Sequence, residues 1–352
     1  MSSEIPKSQN KYDERIVPFK AGDGFDLNVI NVRGAAAPTK GPVLFVHGAG
    51  VRANIFRAPV ETTFVDYLVA RGYDVWLENW RASIDFPPTP WTLDQAAIYD
   101  HPNAVKTVVS ETGADKIKAV IHCQGSTSFT MAAVAGLLPE VETIVTNAVS
   151  LHPVVPNFSE TKLKFAVPLI KMMTDYLNPH WGVSAPTLPA KLVSLLVKLT
   201  HHECDNEVCK QVSFTYGTGW PALWRHENLN AETHDVWLKE EFANVPLTFF
   251  QQMARCVKKG NLISVEGKKE LPADFTAQKP QTDARFAFFA GKKNLCFLPE
   301  SQMKSYEYFD GLRKNYHSLN IFPEYGHLDV FMGKNAANDT FPLMLAELEK
   351  EN

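Results

Sequence analysis

Val120-Ile-His-Cys-Gln-Gly-Ser126 decides how this chain is to be read. The run Lys116-Ile-Lys-Ala-Val-Ile121 has the composition of a strand, and Ser126-Thr-Ser-Phe-Thr-Met-Ala-Ala-Val-Ala135 can start a helix. A strand that turns abruptly into a helix exposes the residue at its corner, here Cys123, and needs a small residue such as Gly125 where backbones cross. A thiolate at that corner is a strong nucleophile, and its ordinary pKa of about 8.5 falls at a helix N-terminus beside an imidazole. The competing reading is a buried thiol that only packs, because cysteine is among the residues most often found inside. Ile121 stands two residues before the corner, where such turns usually carry glycine, so a slightly relaxed turn is expected.

Outward from the turn, apolar strands alternate with helical patterns. An opening hairpin is expected from 15–19 and 26–32 around Ala21-Gly-Asp-Gly24, followed by strands at 42–46, 73–77 and 116–121. Helices are expected over 62–71 and 93–112. Downstream, strands at 284–290 and 319–322 flank a helix over 299–315, and an amphipathic stretch over 339–350 closes the chain. This alternation predicts an α/β fold with a mostly parallel sheet and helices on both faces. Between 157 and 281 the pattern changes to helical segments rich in Leu, Met and aromatics, including 163–176 and 189–200. The expected organisation is a core of 1–156 and 282–352 with a helical cap inserted over 157–281.

Composition narrows the function classes. With 45% hydrophobic residues, 21% charged residues and a net charge of -4, the chain lacks the basic surplus that nucleic acid or an anionic membrane would attract. The polar start Met1-Ser-Ser-Glu-Ile-Pro-Lys has no apolar core of the secretory kind, and no run reaches the ~18 apolar residues of a membrane span. Five cysteines scattered over 352 residues do not form a disulfide framework. A soluble, cytoplasmic protein without cofactor is expected, its partner a small apolar molecule and its oligomeric state open.

Two further motifs support a nucleophilic reading of Cys123. His47-Gly-Ala-Gly50 follows the third strand, where an α/β-hydrolase arrangement supplies one oxyanion-hole N–H. Ala49 is the matching position, and Gln124, after the nucleophile, supplies the other donor. Tyr325-Gly-His-Leu-Asp-Val-Phe331 lies between the last strand and the C-terminal helix, which makes His327 the candidate base; His180, His226, His234 and His317 fall in polar loops. The residue that orients the histidine should follow strand 284–290, yet Gly291-Lys-Lys-Asn-Leu-Cys296 contains no acid. Asn294 takes that place, and its amide oxygen can orient an imidazole paired with a thiolate. The alternative is that Asn294 only caps a turn and Glu78 or Asp329 does the orienting. Trp220 and Trp224 of the insertion, with His47 and Gly48, are the candidate substrate contacts.

His201-His-Glu-Cys-Asp-Asn-Glu-Val-Cys209 has metal-ligand residue types but no second ligand pair at zinc-site spacing. It reads as a structural loop of the cap in which Cys204 and Cys209 face each other, and no metal site is assigned.

Several segments carry a family resemblance. Tyr73-Asp-Val-Trp-Leu-Glu-Asn-Trp-Arg81, Leu93-Asp-Gln-Ala-Ala-Ile-Tyr-Asp100, His122-Cys-Gln-Gly-Ser-Thr127, Tyr325-Gly-His-Leu-Asp329 and Gly333-Lys-Asn-Ala336 resemble the acid-lipase branch of the α/β-hydrolase superfamily. The likeness is closer to the hydrolase-like modules fused to the C-terminus of some cholesterol oxidases. It lies in His47-Gly-Ala-Gly-Val51, Val149-Ser-Leu-His-Pro-Val-Val-Pro156, Cys204-Asp205 with Cys209, and Asn294 with Cys296-Phe-Leu-Pro-Glu-Ser301. A cysteine at the turn is also similar to polyhydroxyalkanoate synthases, at that turn alone. The resemblance implies acyl transfer from a carboxylic ester or thioester of a bulky apolar, lipid-like, sterol-like or polycyclic substrate. An acyltransferase or cyclase using the same acyl-enzyme, and a binding protein that has lost its chemistry, are the competing expectations.

Overall fold

The computed structural model describes residues 11–351 except Glu203 and Trp220. One eight-stranded sheet contains β1 (Asp13–Lys20), β2 (Asp26–Arg33), β3 (Pro42–Val46), β4 (Asp74–Asn79), β5 (Ile117–His122), β6 (Val141–Asn147), β7 (Arg285–Gly291) and β8 (Ser318–Phe322). The strand order is β1-β2-β4-β3-β5-β6-β7-β8. β1 and β2 form the expected hairpin, β2 runs antiparallel to β4, and the remaining pairs are parallel. The apolar runs of β3 and β7 are buried at every residue, as central parallel strands covered on both faces must be.

β6 is a strand that the sequence pattern does not announce, because Glu142, Thr143, Thr146 and Asn147 break its apolar run. Its buried hydroxyl at Thr146 is satisfied inside the fold: Oγ1 lies 2.5 Å from Ser126 Oγ and 2.6 Å from Ser150 Oγ. Burial without an orphaned hydroxyl removes the usual penalty of such residues in a core.

The expected helices are present with adjusted ends. The first is Phe64–Val69, started by a reciprocal Thr63–Asp66 cap. The stretch 93–112 is helical throughout but contains a wider π turn over Ala96–Asp100, just before Pro102. A proline has no N–H for the regular ladder, and the π turn absorbs that break. The last two expected helices are Glu300–Leu312 and Phe341–Glu349.

Between β6 and β7 the chain leaves the sheet. Helical turns run through Asn157–Thr161, Lys162–Ala166 and Val167–Lys171, followed by helices Leu188–Thr200, Glu207–Tyr216 and Leu247–Lys259. The helix expected over 163–176 therefore starts earlier, after Pro156, and stops at Lys171. Its expected end is instead a short strand, Tyr176–Leu177, paired antiparallel with Val245–Pro246. After the last of these helices the chain returns to the sheet's flank, where the Asp94 carboxylate accepts Ser264 Oγ at 2.6 Å and the N–H groups of Val265 and Glu266 at 2.8 and 2.9 Å.

β3 is flanked by β4 on one side and β5 on the other, and Val46 pairs with Ile121. The loops leaving β3 and β5 thus emerge side by side where the strand order reverses. The crevice at the carboxyl ends of strands at such a point is where this architecture binds ligands.

Candidate active site

Cys123 occupies the corner between β5 and helix Cys123–Val134 and has φ +56°, a left-handed conformation rare for a residue with a side chain. Ile121 does not relax the turn, because it belongs to β5, where it pairs with Val46 and Thr146 and is fully buried. The corner needs its neighbouring glycines. A Cβ on Gly125 would lie 2.3 Å from the His47 carbonyl oxygen, and one on Gly48 would lie 2.9 Å from Cys123 Cβ.

His327 and Asn294 come to this corner from the far end of the sheet. A ring nitrogen of His327, one from His122 and Cys123 Sγ all lie within 4.8 Å of one another. Asn294 reaches His327 Nδ1 at 3.0 Å, so the pairing expected from sequence is present, but with the opposite end of the amide. Asn294 Oδ1 already accepts the N–H groups of Cys296 at 2.9 Å and Phe297 at 3.1 Å. The Nδ2 group therefore faces His327 and donates, and Nδ1 must be the unprotonated nitrogen, leaving the ring proton on Nε2. The expected amide-oxygen contact gives way because two backbone donors already hold that oxygen. His327 Nε2 has no hydrogen-bond partner among the described residues.

Burial pushes the Cys123 thiol up. The Cys296 side chain, His327 and the Gln124 N–H outweigh that and hold it well below its ordinary value. Cys296 is itself pushed well up, by burial and by the neighbouring Cys123. His122 is kept neutral, its pKa well below the ordinary value, by burial first and then by His327 and His47. Asn147, at the end of β6, donates Nδ2 to His122 Nδ1 at 3.0 Å and to the His327 carbonyl at 3.1 Å. His122, Asn147 and Cys296 were not singled out from sequence as members of this cluster. A strand the pattern hides delivers Asn147, and the histidine before the corner gave no signal beyond its position.

The other acids considered for orienting His327 are committed elsewhere. Asp329 Oδ1 accepts the Gly326 N–H at 2.8 Å, while Oδ2 accepts Arg225 N–H at 3.1 Å and Asn228 Nδ2 at 2.7 Å, so it shapes the histidine's loop. Glu78 Oε1 is 2.9 Å from His101 Nδ1, and His101 Nε2 is 2.7 Å from Ser128 Oγ. That sequence of groups has the order of a hydrolytic triad, but all three residues are fully buried.

The two candidate oxyanion donors lie just past the carboxyl ends of the neighbouring strands β3 and β5. The Gln124 N–H addresses Cys123 Sγ, and the Ala49 N–H has no hydrogen-bond partner among the described residues. Tyr216 donates its hydroxyl to the Ala49 carbonyl at 3.0 Å, which holds the loop at the peptide that follows the Ala49 N–H.

A cavity of about 620 Å³ opens over Cys123 and Gln124. Phe158, Leu163, Ile170, Phe214, Tyr216, Phe249 and Phe250 from the stretch between β6 and β7 line it, together with Phe297. Lys162 also lines it, with Nζ donating to the Phe214 carbonyl at 2.5 Å and the Gly217 carbonyl at 2.6 Å. Three of the expected substrate contacts are not among its walls. His47 is fully buried, with Nδ1 2.6 Å from the Gly48 carbonyl, and burial lowers its pKa to about 3. Gly48 packs against Cys123 as described, so its role is clearance. Trp224 lies in the core beside Phe242, because the preceding Leu223 carbonyl accepts the N–H groups of His327 at 3.0 Å and Leu328 at 2.8 Å. Trp220 lies outside the described residues.

The loop expected to lack a second ligand pair gains one in three dimensions. One donor atom each from Cys204, Cys209, His226 and His234 lie within 4.8 Å of one another. His226 and His234 come from a one-turn helix, His226–Asn228, and a π segment, Glu232–Trp237, rather than from bare polar loops.

The chain belongs to the α/β-hydrolase fold family, whose model matches residues 41–332. It is similar to lipase member K of Homo sapiens, with 23% identity across 96% of this chain and 88% of that protein. Among solved structures it is similar to an esterase from Thermogutta terrifontis, with a TM-score of 0.55 and 10% identity over 95% of this chain and 97% of that one. An epoxide hydrolase from Vigna radiata matches at a TM-score of 0.57 and 12% identity over 98% and 99% of the two chains. Likeness at that level shows the fold, which hosts more than one reaction. Among the described residues no helix is long and apolar enough to cross a membrane.

Proposed function

We propose that this α/β-hydrolase is an ester-acting, lipase-like enzyme that cleaves a bulky apolar carboxylic ester or thioester through a thioester on Cys123. The observation that carries the reading is the coincidence, at one switch point, of a left-handed corner cysteine with a lowered pKa and a facing histidine. The Cys123 thiolate attacks the acyl carbon, and the Ala49 and Gln124 N–H groups receive the developing oxyanion. Collapse of the tetrahedral intermediate breaks the bond to the leaving group and leaves the acyl group on sulfur.

The His327 tautomer bears on which bond is preferred. With Nδ1 accepting from Asn294, Nε2–H stabilises the thiolate but cannot give its proton away without forming an imidazolate. A thiolate leaving group departs without a proton, so the resting geometry suits a thioester better than an unactivated oxygen ester. Hydrolysis of the acyl-enzyme needs Nε2 as a base. Once sulfur is acylated and uncharged, the ring proton leaves Nε2 to solvent water, Nδ1 takes a proton in exchange, and a half-turn of the Asn294 amide presents Oδ1 to the new Nδ1–H, which frees Nε2. That turn gives up the hydrogen bonds to Cys296 and Phe297, at a cost of about 1 kcal/mol each in net terms. Deacylation is accordingly the slower step, and an amine or thiol acceptor in place of water would make the same site an acyltransferase.

The insertion acts as a cap in this reading. Phe158, Leu169 and Leu196 line the cavity and are also 62%, 63% and 49% exposed, so an apolar rim continues the cavity to the surface. Such a rim supports a lipid-like or polycyclic substrate. No disulfide joins the five cysteines, which fits a reducing, cytoplasmic compartment.

A series of nitrophenyl esters and acyl thioesters of increasing acyl bulk tests the reading. kcat/KM should rise with apolar size, and Cys123→Ala should fall to the buffer rate. No turnover of any member, with apolar ligands still bound equally by Cys123→Ala, would make the protein a binder of the same fold.

A further inference from the structure

We propose that the inserted segment holds a structural zinc ion on Cys204, Cys209, His226 and His234. Cys204 Sγ is 3.5 Å from His234 Nε2, and Cys209 Sγ is 3.4 Å from His226 Nε2. In a tetrahedral site with Zn–S of about 2.3 Å and Zn–N of about 2.0–2.1 Å, the sulfur-to-nitrogen edge comes out at about 3.5 Å. The two observed distances match that edge, and all four donors lie within 4.8 Å of one another. The cage therefore has the size that the ion requires.

The surroundings hold the donors in place as outer-shell groups do in metal sites. His234 Nδ1 is 2.6 Å from Asp235 Oδ1, which leaves Nε2 facing the other donors. The Asn206 N–H donates to Cys204 Sγ at 3.3 Å. Asn206 Oδ1 caps helix Glu207–Tyr216 by accepting the N–H groups of Val208 and Cys209 at 3.0 and 3.2 Å, and its Nδ2 bonds the His234 carbonyl. One asparagine thus ties both cysteines and one histidine into a single arrangement.

Two thiolates and two imidazoles in a tetrahedron select zinc among the common biological cations. Binding releases the two thiol protons, and the two thiolates balance the charge of the dication. All four positions are filled by protein, so the site is closed and its role is structural. What it joins is specific. Cys209 sits on the helix whose far end brings Phe214 and Tyr216 to the cavity, and Tyr216 holds the Ala49 carbonyl. His226 follows the stretch in which Leu223 accepts the His327 N–H and the Arg225 N–H reaches Asp329. Zinc would clamp together the two segments of the insertion that touch the oxyanion loop and the histidine loop.

The test uses full-length, tag-free, reduced protein, dialysed against excess zinc, freed of unbound metal and analysed by inductively coupled plasma mass spectrometry. About one zinc per chain is expected. Cys204→Ser and His234→Ala should each hold less than about a tenth of that, whereas Cys256→Ser, at a buried cysteine elsewhere, should hold as much as wild type. Loading the wild-type protein with cobalt reads the ligand set without a variant: thiolate-to-metal charge transfer with tetrahedral ligand-field bands is expected. Zinc-free wild type, zinc retained by both ligand variants, or octahedral cobalt bands would overturn the proposal. A Cys204–Cys209 disulfide surviving in the reduced protein, seen by intact mass as the loss of two hydrogens, would overturn it equally.

Discussion

Asn294 turns its amide nitrogen toward His327 Nδ1 at 3.0 Å, because the backbone N–H groups of Cys296 and Phe297 already hold its oxygen. The ring proton is thereby left on Nε2, the nitrogen that the proposed mechanism turns toward Cys123. Asn294→Asp should reverse this, since one carboxylate oxygen can keep the backbone donors while the other accepts Nδ1–H. Ring ¹⁵N chemical shifts should report the proton moving from Nε2 to Nδ1. With an oxygen ester, the wild type should show a burst followed by a slower steady state, and the variant's steady state should rise by about tenfold, at the low end of what a positioned general base contributes. A variant with unchanged shifts and unchanged steady state would remove the tautomer from the account.

The lowered Cys123 pKa has a definite pH consequence. A thiol whose pKa is depressed is ionised above that value and loses its charge as pH falls through it. Alkylation of Cys123 by iodoacetamide should therefore stay flat across neutral pH and decline only on acidification. A free cysteine peptide should instead gain rate up to its ordinary pKa of about 8.5. Any folding stability linked to this thiolate is lost in the same direction, toward acid. Cys123 alkylation that climbs in parallel with the peptide would show an unperturbed thiol.

Gly48→Ala places a Cβ 2.9 Å from Cys123 Cβ and 3.3 Å from Sγ. Either the corner or the β3 loop must move. A stability loss of about 1–3 kcal/mol is expected from overpacking, read by denaturant unfolding, together with a kcat at least about tenfold lower because the nucleophile is displaced.

Tyr216→Phe removes the hydroxyl that fixes the Ala49 carbonyl and nothing else of comparable polarity. The Ala49 N–H, on the preceding peptide of the same loop, should loosen with it, lowering kcat by about three- to tenfold while KM for an apolar ester holds, in line with the worth of one hydrogen bond. A change in KM alone would assign Tyr216 to substrate packing.

Much of this molecule can be read from its sequence, and the exceptions have physical causes. The corner at Cys123, the His47-Gly-Ala-Gly50 loop and His327 are local features, each tied to the end of a strand or its loop, and the fold brings them together as expected. β6 escapes notice because the groups that satisfy Thr146 and Asn147, among them Ser126, Ser150, Gln302 and His122, are distant or out of pattern in sequence. The direction of the Asn294 amide depends on two backbone N–H groups in a turn, which no residue type announces. His226 and His234 look like loop histidines until two short helical turns place them beside Cys204 and Cys209. Trp224 was expected at the substrate and instead lies in the core beside Phe242, since aromatic size alone does not distinguish a pocket wall from core.

The central claim is that an acyl group is carried on Cys123, and intact mass spectrometry after brief exposure to an activated apolar ester tests it most directly. The wild-type protein should gain the mass of one acyl group, mapped to the peptide containing Val120 to Ser126 and released by hydroxylamine, while Cys123→Ala gains none. An adduct of equal extent on Cys123→Ala, or no adduct on the wild type under conditions where it turns the ester over, would contradict the account.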